Sequence, residues 1–214
     1  MSLSVDDVAR LRPFLYHLTS QENISRIRSL ARLESAERLL IRAGRPDWLN
    51  ARRIGPRLLN VGEDCVRLGH QDFLHEGAIA FESGWDLGKL IGYINRHVFF
   101  WPGSVNGAID YGRNHFEHFA SKQPLLLRVG FYQLLLANPG IDPLFCRYNS
   151  GAPRVVNGRK SPRGQSTFRH AESFDGHPSD VVEVVFEQQV VLPRGTQIGL
   201  SYDGPWTTLF ATAV

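Results

Sequence analysis

The sequence is poor in the features that mark crosslinked, secreted or membrane-spanning chains. It has two cysteines, Cys65 and Cys146, too few for a disulfide framework or a four-thiolate zinc site. No apolar run approaches the roughly eighteen residues of a membrane-spanning helix. Residues 1–12 carry Asp6 and Asp7 and no long apolar core, which argues against a secretory signal. We therefore expect a cytoplasmic protein that does not enter a membrane.

The best-known short enzyme motifs are also missing. There is no G-x-x-x-x-G-K-[ST] phosphate loop, no G-x-G-x-x-G after a strand, no H-E-x-x-H, no G-x-S-x-G and no C-x-x-C. These absences exclude the enzyme classes that those motifs define. Because no cluster of metal-ligand residues stands out either, no metal cofactor is expected.

Basic residues are present almost entirely as arginine. Of 24 basic residues only Lys89, Lys122 and Lys160 are lysine, the formal net charge is +3, and the sequence pI is about 9.1. Arginine suits phosphate and carboxylate ligands, although G+C-rich codons produce the same bias. The charge permits a polyanionic partner such as nucleic acid or a dinucleotide. With 43% hydrophobic residues, the chain is expected to form one globular domain over residues 1–214.

Capping signals and periodicity predict an α+β fold. Ser4 with Asp7 predicts a first helix, and Thr19 with Glu22 predicts the start of a second after a short strand. Further helices are predicted over 35–43, 85–96 and 108–121, and strands over 98–101, 125–129, 181–186 and 197–202. Residues 149–170 read as a long loop. The order favours a mixed or antiparallel sheet with a helical N-terminal part over regular βαβ winding.

Two single residues are candidates for chemistry. Glu183 lies between Val181 and Val185 on the same strand face. A buried carboxylate there needs either an arginine partner or a ligand with donors. His17 ends a short strand just before a helix, where anionic ligands are often held. A histidine bonded to the backbone is the structural alternative.

Two longer segments are also candidates. Phe99, Phe100 and Trp101 must place rings on both faces of their strand, one of which could stack on a planar ligand. The following helix carries Tyr111, Arg113, His115 and His118, which either line a groove or form a solvated face. The loop after Asn149 and Ser150 contains Arg154, Arg159, Lys160 and Arg163, a charge pattern that suits polyanion recognition.

These pieces resemble a known enzyme family when they are taken in order. Tyr-His-Leu-Thr at 16–19, followed by Asn23-Ile-x-x-Ile27, resembles the opening of DarT-type ADP-ribosyltransferases. Asp180-Val-Val-Glu-Val-Val-Phe186, followed by Val190-Val-Leu-Pro193, resembles the strand that bears the catalytic glutamate in that superfamily. The middle of the chain is similar to an uncharacterised bacterial family in the segments 74–76, 95–102, 149–151 and 163–168.

The resemblance implies a fold, a co-substrate and a set of roles. The fold would be the split mixed or antiparallel sheet of ADP-ribosyltransferases, and NAD would be the co-substrate without a metal. Glu183 would be catalytic and would share one dinucleotide groove with His17. The implied NAD-binding residues are His17, Thr19, Phe100, Tyr111 and Arg113, with Phe99, Trp101 and Arg52 as alternatives; the implied acceptor-binding residues are Asn149, Ser150 and Arg163.

The resemblance also constrains the acceptor and the partners. Many relatives carry Glu or Gln two residues before the catalytic glutamate when they modify arginine or protein, whereas this chain has Val181 there. The acceptor is therefore expected to be a nucleic-acid base or a nucleotide. An antitoxin would be a partner if the protein acts as a toxin. The alternatives are an NAD glycohydrolase using the same site and a non-catalytic nucleic-acid-binding module; an RNA 2′-phosphotransferase-like reaction lacks its expected arginine signature.

Overall fold

The computed structural model describes residues 3–210. Six α-helices lie in this range: α1 Val5–Leu11, α2 Gln21–Leu30, α3 Ala36–Arg42, α4 Leu87–Asn95, α5 Asp110–Phe119 and α6 Phe131–Ala137. The strands are β1 Phe14–Thr19, β2 Arg32–Glu34, β3 Arg57–Val61, β4 Asp64–Leu68, β5 Ile79–Phe81, β6 His97–Ser104, β7 Gly107–Ala108, β8 Leu125–Gly130, β9 Leu144–Cys146, β10 Ser161–Arg163, β11 Glu183–Glu187, β12 Gln189–Val191, β13 Gln197–Gly199 and β14 Thr207–Thr208.

Eight strands form the main sheet, and every pairing within it is antiparallel. The strand order is β14-β13-β8-β1-β6-β11-β9, with β7 paired to β6. Three two-stranded sheets surround it: β3–β4 and β2–β12 are antiparallel, and β5–β10 is parallel. The predicted α+β class is confirmed.

The two faces of the main sheet have different coverings. Residues directly opposite each other in an antiparallel pair share a face. Tyr16 pairs with Trp101. Val184 pairs with Phe100, so the preceding residue, Glu183, lies opposite Trp101. We call the face that carries Tyr16, Trp101 and Glu183 the front face. Helices α4 and α5 cover the front face. Leu15, Phe100 and Val184 point to the back face, which α1, α2 and α6 cover.

The pairing between β1 and β6 is short. β1 pairs with β8 over six residues but with β6 over only three, ending at the Tyr16–Trp101 pair. Beyond that pair the imidazole of His17 bridges the gap, its Nδ1 lying 2.9 Å from the carbonyl oxygen of Phe99. The carboxyl end of β1 is thereby free on its β6 side, and a cleft can form there.

The predicted helix starts are confirmed at two positions and corrected at a third. The side chain of Ser4 accepts from the amide of Asp7, and Ser35 caps α3 in the same way. Thr19, however, is the last residue of β1, and α2 begins after Ser20, whose side chain makes no capping bond. The strand pairing of Thr19 with Leu125 prevails over the local capping signal.

Helix α5 reaches the front face through a glycine. A Cβ on Gly112 would lie 2.8 Å from side-chain carbons of Trp101 and Ala108. We expect Gly112→Ala to lower the unfolding free energy by about 1–2 kcal/mol, because the overpacking outweighs the gain in helix propensity. Urea denaturation measures this. Gly195→Ala is the control, since nothing lies within 4 Å of its added Cβ; equal losses in both variants would contradict the close approach.

Candidate functional site

A buried carboxylate lies at the start of β11. The run of valines around Glu183 makes this a central strand, and β6 and β9 flank it on both sides. Glu183 is only 3% exposed. Cys146 on β9 pairs directly with it. The carboxylate that the alternation predicted on a strand face is therefore sealed inside the front layer.

The carboxylate of Glu183 is only partly satisfied. The backbone N–H of Ser150 donates to its Oε1 at 3.2 Å. Its Oε2 has no hydrogen-bond partner among residues 3–210, and no ion pair to it forms in that range. Burial raises the pKa of Glu183 to about 7, against the opposing effects of hydrogen bonds from Ser150 and the positive charge of Arg163. This is the environment of a poised acid–base group.

Arg163 holds the segment that covers Glu183. It is buried, and its guanidinium donates to the carbonyl oxygens of Asn149, Ser150 and Pro162 and to the hydroxyl of Ser161. The structure thus brings the three predicted acceptor-binding residues together beside Glu183. The correction concerns Arg163, whose donors are engaged by the chain itself and do not face an acceptor.

The raised pKa of Glu183 predicts how stability depends on pH. The native state keeps a proton that the unfolded state releases above about pH 4.5, so this stabilisation is lost as pH rises to about 7. Glu183→Gln removes the effect. We expect the unfolding free energy of the variant, relative to wild type, to increase by about 3 kcal/mol between pH 4.5 and 8.

Thermal or urea unfolding across this pH range measures the difference. Glu187→Gln is the matched control, because Glu187 is exposed at the other end of the same strand. A pH-independent difference between wild type and Glu183→Gln would show that the native carboxyl titrates normally.

A cleft of about 740 Å³ opens at the carboxyl end of β1. Three walls line it: the start of α2, the end of the β3–β4 hairpin, and the end of α5 with the turn that follows. His115 of α5 belongs to this lining, and its ring lies 5.6 Å from that of Trp101. Through His115 the cleft approaches Trp101, which lies opposite Glu183 in register, while Thr19 and the start of α2 extend its lining toward the back-face helix.

Charged groups are distributed unevenly around the cleft. On the α2 side, Arg67 pairs with Glu22 at 2.5 Å, so this cation is already neutralised. On the α5 side, burial lowers the pKa of His115 to about 4 and also lowers the pKa of His70. Lys122 adds an ammonium group to the lining. The cleft thus combines a cation and uncharged imidazoles with the N-terminal turn of α2, where Glu22 also lies.

His17 and Thr19 occupy positions that differ from the prediction. His17 is on the back side of the sheet, with its ring 5.7 Å from that of Phe100, and burial lowers its pKa. Because His17 and Glu183 belong to opposite faces, they do not meet across one groove. Thr19 does line the cleft, where its hydroxyl accepts from the side chain of Asn23.

The remaining predicted NAD contacts lie away from the cleft. Phe100 is 1% exposed and packs against Phe186 in the back core, so a nicotinamide cannot stack on it. Tyr111 is half exposed on α5 and does not line the cleft. Arg113 bonds the carbonyl oxygens of Ala108 and Asn106 and lies over the ring of Tyr202. Arg52 donates to the carbonyl oxygen of Leu74.

Sequence reasoning missed most of the cleft. Arg67 and His70 are placed there by the β3–β4 hairpin, which was not predicted. Its signal is Gly62-Glu63, a Gly-X turn between two stretches with alternating apolar residues. Phe119 and Lys122 were missed because nothing local indicates which side of α5 faces a cavity.

A match to a known protein family covers most of the fold described above. A protein-family model matches residues 13–194, which include the cleft, the strand of Glu183 and the segment over it. The chain belongs to DUF7002, a family of unknown function. No curated protein and no solved structure matches it.

Two further properties concern residues 3–210. Within residues 3–210, no helix is both long and apolar enough to cross a membrane. In the same range no three His, Cys, Asp or Glu side chains are grouped so that they could hold a metal ion.

Proposed function

We propose that the protein transfers ADP-ribose from NAD to a nucleic-acid base or nucleotide. The observation that carries the proposal is Glu183, a buried carboxylate with one unpartnered oxygen, whose neighbour in register, Trp101, lies near His115 of a nucleotide-sized cleft. The short pairing between β1 and β6 is compatible with the split sheet that the resemblance to ADP-ribosyltransferases implies.

Glu183 has the chemistry that this reaction needs. The bond between nicotinamide and ribose C1′ breaks, its electron pair leaves with nicotinamide, and positive charge develops on the sugar. A carboxylate stabilises that charge. The acceptor then bonds to C1′ and gives up a proton, which a carboxylate with a pKa of about 7 can take.

The supporting residues in this proposal differ from those that the sequence suggested. In the proposed site NAD enters the cleft along Thr19 and the start of α2, where backbone amides and Lys122 meet the pyrophosphate. In this proposal His17 bonds the backbone of β6 through its Nδ1 and does not touch NAD. Since Glu183 is buried, residues 149–151 must move away before the ribose reaches it.

The test is incubation of the full chain with NAD and single-stranded DNA, RNA or nucleotides. Nicotinamide release is followed by chromatography, and acceptors are examined by mass spectrometry. The expected result is nicotinamide release together with an acceptor that gains one ADP-ribosyl group. No nicotinamide release with any of these acceptors would reject the transferase.

Hydrolysis of NAD is the second candidate, and the burial of Glu183 favours it. A sealed carboxylate admits water more easily than a polymer. Free ADP-ribose without a modified acceptor would identify this reaction in the same experiment. A stacking module built on Phe99, Phe100 and Trp101 is disfavoured, because Phe100 and Trp101 are 1% and 9% exposed and offer no open ring face.

A further inference from the structure

A group of aromatic rings surrounds Phe119 at the end of α5. The imidazoles of His70, His115 and His118 have centroids 5.0, 4.9 and 5.0 Å from that of Phe119. Phe73 closes the group, 5.0 Å from His118. We call these five residues the ring cluster. It joins two segments distant in sequence, the stretch after β4 and the last turns of α5.

The ring cluster has a cleft side and an outer side. His70, His115 and Phe119 line the cleft, whereas Phe73 and His118 do not line it and are exposed. Packing in the hydrophobic core would explain aromatic rings that are buried away from solvent. It does not account for three half-buried rings that form one wall of a 740 Å³ cleft.

The charge state of this wall selects the kind of ligand. With lowered pKa values, His70 and His115 are mainly uncharged at neutral pH, so they do not act as phosphate-binding cations. Neutral imidazoles offer ring nitrogens for hydrogen bonds and a flat apolar surface; the Nδ1 of His70 is occupied by Asp72, whose Oδ2 lies 3.0 Å away, so its Nε2 and the ring of His115 remain. The Nζ of Lys122 lies over the Phe119 ring, 5.2 Å from its centroid, and supplies a positive charge.

We propose that His70, His115 and Phe119 bind a nucleobase, with Lys122 next to the phosphate of the same nucleotide. The base stacks on the ring wall, and the imidazole nitrogens meet the polar edge of the base. The base comes either from the adenine of NAD or from the acceptor, and this choice rests on the proposed function. The stacking of a base on His70, His115 and Phe119 does not depend on the proposed function, because it is inferred from the cleft and the rings that line it.

The test titrates adenosine monophosphate into the full chain by calorimetry. Phe119→Leu keeps an apolar side chain but removes the aromatic face, and is expected to weaken binding about tenfold or more. His118→Gln is the matched control, because His118 touches Phe119 from the side away from the cleft; its affinity should stay within about twofold of wild type. Circular dichroism confirms that both variants are folded.

Three results would overturn the inference: no binding by wild type, undiminished binding by Phe119→Leu, or equal losses in both variants. Competition with NAD then identifies the source of the base. Adenosine monophosphate that displaces NAD marks the wall as the adenine site of the co-substrate, whereas simultaneous binding of both assigns it to the acceptor.

The proposed nucleobase site and the proposed reaction can be rejected independently of each other. Phe119-dependent binding of adenosine monophosphate without any nicotinamide release would retain the base site and reject the transferase. Conversely, nicotinamide release with an unchanged KM for NAD and unchanged nucleotide affinity in Phe119→Leu would reject the base site and retain the enzyme.

Discussion

Glu183→Gln is expected to lower the rate of nicotinamide release from NAD by at least about two orders of magnitude. Glutamine keeps the shape and can still accept from the amide of Ser150, but it carries no negative charge for the developing oxocarbenium ion. Binding of NAD in the cleft should change by less than about threefold, because Glu183 is not part of the cleft lining. The loss therefore falls on kcat and not on KM.

The wild-type pH profile supplies a second readout of the same residue. Because the ionised form of Glu183 is the active one, kcat/KM should rise with pH and level off above about 7. Glu187→Gln should show the wild-type rate and profile. Turnover of NAD by Glu183→Gln at more than a tenth of the wild-type rate would remove Glu183 from the reaction.

Arg163→Met is expected to give the largest loss of stability, about 3 kcal/mol in unfolding free energy. Methionine fills much of the volume but leaves the buried carbonyl oxygen of Ser150 without its side-chain donor, and the carbonyl oxygen of Asn149 keeps only the amide of Ala152. The guanidinium also lies 4.7 Å from the ring centroid of Tyr148, and that contact is lost. Urea denaturation measures the change in stability.

The site of increased cleavage shows whether Arg163 fixes residues 149–151 specifically, which we call the Arg163 clamp, or stabilises the whole chain. Without Arg163, residues 149–151 should be cut faster by a protease than the rest of the chain. Arg154→Met is the control, since Arg154 is exposed in the same stretch. If Arg154→Met destabilises the protein as much as Arg163→Met, the clamp has no special role.

Local sequence patterns predicted the helices and strands better than they predicted how these elements pair and pack. The Ser4–Asp7 cap and the valine-rich strand around Glu183 depend on neighbours in sequence, and both are present. The long loop predicted over 149–170 in fact contains β10, which pairs with β5 some eighty residues earlier. The local sequence around each strand gives no information about a partner so far away in the chain.

The site shows the same division between local and distant information. Alternation placed Glu183 on a strand face between Val181 and Val185, at a rim or in a cleft, and the structure shows that it is buried. The expectation that His17 would face it was wrong, because β6 lies between their strands and register decides which face each side chain takes. Of the α5 residues singled out, His115 lines the cleft while Tyr111 does not.

The two cysteines give the chain a built-in labelling site. Cys146 is buried opposite Glu183, and burial raises the pKa of its thiol, so it should resist alkylation. Cys65 is exposed on β4, two residues before Arg67 of the cleft. A maleimide fluorophore should therefore attach at one position in the unaltered sequence and report ligand entry by a change in emission.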